Sequence, residues 1–292
     1  MSQKNETPAL VLALLLTVGF LGAGFWWLMP KAGIKFGTQI TPQETTSITD
    51  RISQGERSLV QAESKADNPA FVLAKQAGIQ AMAAKQYGEA TAQFKLALQS
   101  ARNAPETVIY FNNASIGANR SHTIAVAVPI GSDPNGSLEI LRGVAQAQQE
   151  LNANRQTIPL KVVIANDNNN PDTAQQIANT LVQMPDVLGV VGHYASDVTL
   201  AAGSVYNAGE LVSISPISST VKLSGFGKYI FRTVPSDYVA ARALADYAVK
   251  RLQQKRAVVF FNSQSAYSQS LKAEFVTAIA LSGGQVSDEF YL

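Results

Sequence analysis

The sequence predicts an α/β chain organised on a doubly wound parallel sheet, and three observations carry that prediction. From residue 122 onward, apolar runs of strand length alternate with amphipathic runs of helical period. The run at 123–130 is apolar nearly throughout, the pattern of a strand covered on both faces, and short apolar strands follow at 187–191 and 211–215. The stretch 188–220, LGVVGHYASDVTLAAGSVYNAGELVSISPISST, reads as strand, hydroxyl-bearing loop, helix, strand and a second hydroxyl-bearing loop. Each of those loops leaves the carboxyl end of a strand, where open parallel sheets bind their ligands.

Strand 123–130 leads through loop 131–136 into a helix with Leu138, Leu141, Val144, Ala145 and Leu151 on one side. A second strand covers 158–165. Asp172 and Gln175 read as a capping pair for a helix whose core face is Ala174, Ile177, Ala178, Leu181 and Val182. Strands follow at 187–191, 211–215 and 229–234. This alternation requires right-handed crossovers with helices on both faces, and it defines a first lobe over 118–235. A helix at 237–250, a strand at 257–261, a helix at 269–281 and a strand from 285 open a second α/β lobe, 236–292. A two-stranded sheet with one face covered cannot bury itself. The sequence is therefore expected to be a fragment of a longer two-lobed protein, or the product of a truncated gene.

Upstream of the lobes, residues 9–29, ALVLALLLTVGFLGAGFWWLM, carry no charge and match the ~20 residues that cross a bilayer. Trp26 and Trp27 at the far end suit a membrane interface. An uncleaved transmembrane anchor over 1–30 is expected in preference to a signal peptide, since Gly22, Ala23 and Gly24 resemble a cleavage site only loosely. Lys4 on one side, and Lys31 with Lys35 on the other, leave its orientation open. Residues 31–69 are polar and read as a linker with a short helix around Ile52, Leu59 and Val60.

Residues 70–117 read as two helices broken near 86–88, with a third at 106–116. Gly78, Tyr87, Ala90, Phe94 and Ala97 match the spacing of one tetratricopeptide (TPR) repeat, from which Ala74 and Pro105 depart. A lone repeat has no neighbour to stack on. A helical hairpin that packs on the next lobe is the alternative reading.

Composition narrows the function classes. With 46% apolar and 15% charged residues in 292, the chain can bury real cores, and a net charge of +2 from scattered basic residues gives no footprint for nucleic acid. The absence of cysteine removes disulfides, a thiolate nucleophile, sulfur-ligated zinc and lipid attachment at cysteine. His122 and His193 are too far apart in sequence to suggest a metal cluster and read as satisfied structural histidines, and no cofactor or metal is implied. There is no GxSxG elbow, no phosphate loop, and no GxGxxG after the first strand. The chain is expected to bind, not to catalyse.

Ser196 precedes a predicted helix, where its hydroxyl would cap the helix while free amides face a ligand carboxylate. As a plain cap it needs no function. Asp197, in the first turn, holds the dipole position already and would repel a second anion or pair with an ammonium group. The run SPISST at 215–220, with Ser218 and Ser219, offers hydroxyls that suit a zwitterion, or else an ordinary turn. Tyr267, in NSQSAYSQS, falls near the carboxyl edge of the second lobe, placed to close over a ligand or to lie half-buried on the surface.

Taken in order, the segments IAVAVPI, DNNNPDTAQQIANTLV, GHYASDVT, ISPISST and FRTVPSD resemble the leucine/branched-chain amino-acid binding proteins of ABC importers, which have the type I periplasmic-binding fold. The resemblance covers residues 122–292. It implies an amino acid or similar small polar solute held by Ser196, Ser218, Ser219 and Tyr267, with ABC permease subunits as partners. It also implies an extracytoplasmic site, tethered to the membrane by the N-terminal helix. Two departures bear on the ligand. No aromatic residue lies between Gly131 and Ser137, and Asp197 stands where a small hydroxyl residue is usual. The acidic group that holds the ligand ammonium in that family falls beyond Leu292. The TPR-like segment before such a fold also resembles activators of cell-wall synthases, so a periplasmic regulator acting through protein–protein contact is the alternative function.

Overall fold

The computed structural model describes residues 47–61, 63, 68–154 and 157–292. The apolar stretch 9–29, and with it the expected anchor, lies outside the described residues. Among the described residues no helix is long and apolar enough to cross a membrane.

The first lobe is a six-stranded sheet in the order β1-β3-β2-β4-β5-β6. Its strands are β1 (Ile52–Ser53), β2 (His122–Val128), β3 (Leu160–Asn166), β4 (Val187–Val191), β5 (Val212–Ser215) and β6 (Ile230–Arg232). β1 runs antiparallel to β3, and the other pairs are parallel. The helices that pack on it are α1 (Pro69–Ala83), α2 (Tyr87–Ser100), α3 (Pro105–Ile116), α4 (Pro134–Ala153), α5 (Pro171–Val182) and α6 (Ser196–Ala208). The period-two alternation of β2 and β3 divides the core. Ala125, Ala127, Val163 and Ala165 share one cluster with α5 and α6, whereas Val126, Val128, Val162 and Ile164 share the other with α3 and α4.

Three local readings need correction. The cap of α5 is Asn170, whose side chain accepts from the Thr173 N–H at 2.9 Å, with Pro171 opening the helix; Asp172 lies one residue inside. Helix α4 starts at Pro134, earlier than the apolar spacing indicates, because Asp133 accepts from the Gly136 N–H at 2.9 Å. Its buried face is Ser137, Leu141, Val144, Ala145 and Gln148, and Leu151 is 50% exposed. Ile52 belongs to no helix: Ile52 and Ser53 pair with Ala165 and Ile164, so part of the polar stretch read as linker closes the edge of the sheet.

The uncovered remainder of that edge is closed by a side chain. Asn113 of α3 donates to the Val162 carbonyl at 2.7 Å and accepts from the Val162 N–H at 3.0 Å, continuing the ladder with an amide in place of a strand. Its oxygen also accepts from Gln148 at 2.9 Å. Through α3 the helical hairpin leans on the lobe, since Phe94, Ile109 and Tyr110 share the cluster of Val126 and Ile164.

A buried ionic knot fixes the hairpin to residues 58–63. Lys75 of α1 pairs with both Glu63 and Glu106. Glu106 further accepts from the N–H groups of Leu59 at 2.7 Å and Val60 at 3.0 Å and from the Tyr110 hydroxyl at 3.0 Å. Burial pulls the Lys75 ammonium down, and the charges of Glu106 and Glu63 outweigh it, so its pKa stands above the ordinary lysine value.

The second lobe comprises α7 (Asp237–Asp246), which runs into a π turn, then β7 (Arg256–Phe261), α8 (Ala266–Leu281) and β8 (Gln285–Tyr291). β7 and β8 pair in parallel over a small core of Ala245, Ala278 and Ile279. On the other face Phe260 is 65% exposed and stacks on Phe290 at 5.3 Å. Two strands and two helices cover one side of this sheet only.

The knot makes a prediction. Replacing Lys75 by Met leaves two carboxylates buried without a cation, and should lower the unfolding free energy by about 3–5 kcal/mol in urea titrations. A loss below about 1 kcal/mol, the range of exposed pairs, would contradict a buried role.

Candidate functional site

β2 has β3 on one side and β4 on the other, so the strand order reverses between β2 and β4. Loops at that point leave the carboxyl ends in opposite directions and open a crevice. Its walls are loop 129–133 after β2 and loop 192–195 after β4. Gly192 has φ +149°, and a Cβ there would stand 2.8 Å from the Ala127 carbonyl oxygen. Glycine alone lets the chain leave β4 so close to β2. Tyr194 then crosses the crevice. Its hydroxyl bonds to Asp133, and its ring lies 2.9 Å from where a Gly136 Cβ would be. That hydrogen bond, with burial and the Asp133 charge, raises the Tyr194 phenol. The facing loop thus brings an aromatic ring against loop 131–136, which has none of its own.

Beneath Tyr194 lies a buried triad. His193 Nδ1 is 2.6 Å from Asp167 Oδ2, and Nε2 is 3.0 Å from the Tyr206 hydroxyl. Burial, then the Asp167 charge, pushes the Tyr206 phenol far up, so it keeps its proton. Nδ1–H donating to Asp167 and Tyr206 O–H donating to Nε2 satisfy both ring nitrogens. The His193 carbonyl accepts from Ser215 at 2.7 Å and from Thr199 at 3.2 Å. One residue therefore ties together the ends of β3, β4 and β5 and helix α6.

The four expected site residues meet different fates. Ser196 is not a cap: Ala195 holds that position, and Ser196 is the first residue of α6. Its Oγ is buried and has no partner, and the helix ladder opens only with the Thr199 N–H on the Ala195 carbonyl, at 2.9 Å. Ser218 serves as a brace. Its Oγ lies 2.6 Å from Thr199 Oγ1 and donates to the Tyr194 carbonyl at 3.0 Å. Ser219 is partly exposed; its carbonyl accepts from the Asp237 N–H at 2.8 Å and from Arg232 at 3.2 Å, while its hydroxyl stays free. Tyr267 lies in the first turn of α8, 48% exposed.

Asp197 departs most from its sequence reading. Its carboxylate oxygens accept from the Ala266 N–H at 3.0 and 3.1 Å, so its charge sits at the head of α8 in the second lobe. This contact brings Tyr267 beside the head of α6. A second interlobe bond runs from the Val221 N–H to Ser270 Oγ at 3.1 Å. Sequence reasoning also missed Arg232, whose guanidinium holds the Thr220 carbonyl at 2.7 Å, and the His193 triad; neither has a local pattern, since their partners are 12 to 26 residues away. Among the described residues no cluster of His, Asp or Glu is placed to hold a metal.

The fold and crevice define a class of two-lobed α/β binding proteins. Residues 121–292, more than half of the chain, match the family model described as periplasmic binding protein, and the chain belongs to that family. An amino acid binding protein of Pseudomonas aeruginosa is 31% identical over 154 residues, which are 51% of this chain and 40% of that protein. The ABC transporter substrate-binding protein of Desulfitobacterium hafniense, solved with Leu, is 28% identical with a TM-score of 0.54, covering 59% of this chain and 51% of that one. A branched-chain amino acid transporter substrate binding protein from Streptococcus pneumoniae, solved with isoleucine, shares the fold at 20% identity and a TM-score of 0.54, covering 59% and 50%. The chain thus spans about half the length of these relatives, or less. By name all three are amino-acid-binding or substrate-binding proteins.

The triad can be tested by itself. Tyr206→Phe removes the donor to His193 Nε2 and should cost about 1–2 kcal/mol of stability by thermal unfolding, while His193→Ala, which strips Asp167 of its ring partner, should cost more. Equal and negligible losses would show that the hydrogen bonds are idle.

Proposed function

We propose that the protein is the substrate-binding component of an ABC importer. It would hold an amino acid or similar small polar solute between its lobes on the extracytoplasmic side and deliver it to permease subunits. The observation that carries this reading is the head of α6. A buried serine hydroxyl without a partner lies beside helix N–H groups that precede the ladder, at the carboxyl end of β4. Such a place favours a carboxylate. Ser196 and the free hydroxyl of Ser219 contact the solute, Ser218 holds the loop, and Tyr267 closes over it. The names of the relatives, with leucine and isoleucine in two solved structures, support an amino acid. Residues 9–29 tether the lobes to the membrane, the polar residues between them and β1 space them from it, and α1–α2 follow TPR-like packing.

A second reading, a protein-interaction regulator, draws on the helical hairpin sharing the core of the first lobe. The two are separated by calorimetry of the purified protein with the twenty L-amino acids. Under the importer reading at least one binds, and Ser196→Ala weakens it about tenfold through the loss of one hydrogen bond to a charged group. No binding across the panel, with a cell-wall synthase retained in pull-down, would sink the importer reading and favour the regulator.

A further inference from the structure

Residues 58–63 form a strap between β1 and α1 that packing alone does not hold. Val60 and Gln61 border two cavities at once. One, of about 440 Å³, is lined by Phe71, Val72 and Ile79 of α1; the other, of about 370 Å³, by Ile130, Gly131 and Pro134 at the crevice wall. A segment with space on both sides lacks part of the dispersion contact of a packed one, so its polar bonds decide whether it stays. Most of these lead to one buried cluster. The Leu59 and Val60 N–H groups and the Ser58 hydroxyl donate to Glu106 at 2.7, 3.0 and 3.1 Å, and the Lys75 ammonium donates to the Val60 carbonyl at 3.0 Å. Glu63, at the end of the strap, accepts from the Glu106 N–H, from the Thr107 N–H at 3.2 Å and from the Thr107 hydroxyl at 2.7 Å, where the cap residue of α3 offers no side chain.

The cluster holds one negative charge in excess. The side chains of Glu63 and Glu106 are fully buried, and Lys75, nearly buried itself, is the one cation paired with them among the described residues. Of the charged groups on the strap side, Arg57 turns to Asp50 at 3.5 Å and Glu56 to the Gln54 N–H at 2.9 Å. From α1 the cluster is faced by Lys75, and from α3 by Glu106 and Tyr110. The Tyr110 phenol keeps its proton, because burial and then the Glu106 charge hold it well above its ordinary value. The head of α3 offsets only part of one negative charge. Glu106 has the Leu59, Val60, Ser58 and Tyr110 donors besides Lys75, which leaves Glu63 with fewer. Burial raises the Glu63 carboxyl above its ordinary value; Lys75 opposes this and the Glu106 charge adds to it.

We propose that this knot is a pH-sensitive clasp: as the pH falls it takes one proton at Glu63, becomes electrically neutral, and holds the strap and the helical hairpin most firmly to the first lobe. A carboxyl more basic in the fold than in the unfolded chain adds stability that is complete below the ordinary carboxylate value and is lost as the pH rises through the raised one. Lys75, raised from the ordinary lysine value, stays charged throughout that window. The clasp therefore slackens toward neutral and alkaline pH, and a slack strap joins the two cavities it divides. None of this depends on what the cleft binds.

Hydrogen exchange of residues 57–63 and 106–108, corrected for the intrinsic pH dependence of exchange, tests the clasp in the purified protein and in Glu63→Gln. Between about pH 5 and about pH 8 the unaltered protein should lose several-fold protection in these segments, while the variant, neutral there at every pH, should lose much less. In thermal melts the variant should gain on the unaltered protein as the pH rises. Protection that does not fall with pH in the unaltered protein, or that falls equally in the variant, would overturn the proposal. A variant that loses ground in the melts as the pH rises would also overturn it, by showing that the fold favours an ionised Glu63. Should the variant not fold, carboxyl-labelled glutamates followed by carbon NMR in the unaltered protein decide the matter. One resonance titrating above the others supports the clasp, and a set that titrates together sinks it.

Discussion

The carboxyl edge of the first lobe depends on His193 being satisfied on every side at once. Its ring joins Asp167, at the end of β3, to Tyr206 in α6, and its carbonyl gathers Ser215 and Thr199. A buried network of this kind is favourable only when complete, because each unmade bond leaves a desolvated polar atom. Completion fixes the distances between three strand ends and one helix. The loops that carry Ser196 and Ser218 then inherit positions they do not set themselves. Gly192 permits this by letting β4 end within contact of the β2 backbone.

The same logic organises the opposite face. The α1–α2 hairpin has a small apolar cluster of its own around Phe71, Ala74 and Ala97. It borrows the face of the sheet through Ile109 and Tyr110, and the Lys75 knot gives the contact its direction. Asn113 and Gln148 do for the sheet edge what a further strand would have done. The helical segment is therefore a third layer of the first lobe, continuous with its core.

Much of this architecture was legible in the sequence because buried parallel strands and amphipathic helices have periods. The strands at 187–191 and 211–215, the core face of α5 and the helical hairpin all follow from spacing. Legibility failed where partners are remote. Ile52 and Ser53 are too short a strand to have a period, and they are set by pairing with β3. The site was half legible. Hydroxyl loops after β4 and β5 point to the crevice, but nothing local distinguishes Ser218, whose oxygen is taken by Thr199 and Tyr194, from Ser219, whose hydroxyl is free. Asp197 read as an obstacle to anions because its own helix was the only one in view; its real partner is 69 residues away.

That partner changes how closure of the cleft is understood. Asp197 and Ser270 make interlobe bonds from the polypeptide alone, with Asp197 supplying the head of α8 with an anion that a ligand need not provide. A ligand shifts an opening equilibrium only by its differential affinity for the two states. Two such bonds stand without any ligand, so under the amino-acid reading a bound solute has less of the closing to do. What the chain leaves unmet at the head of α6 is the buried Ser196 hydroxyl, which has no hydrogen-bond partner.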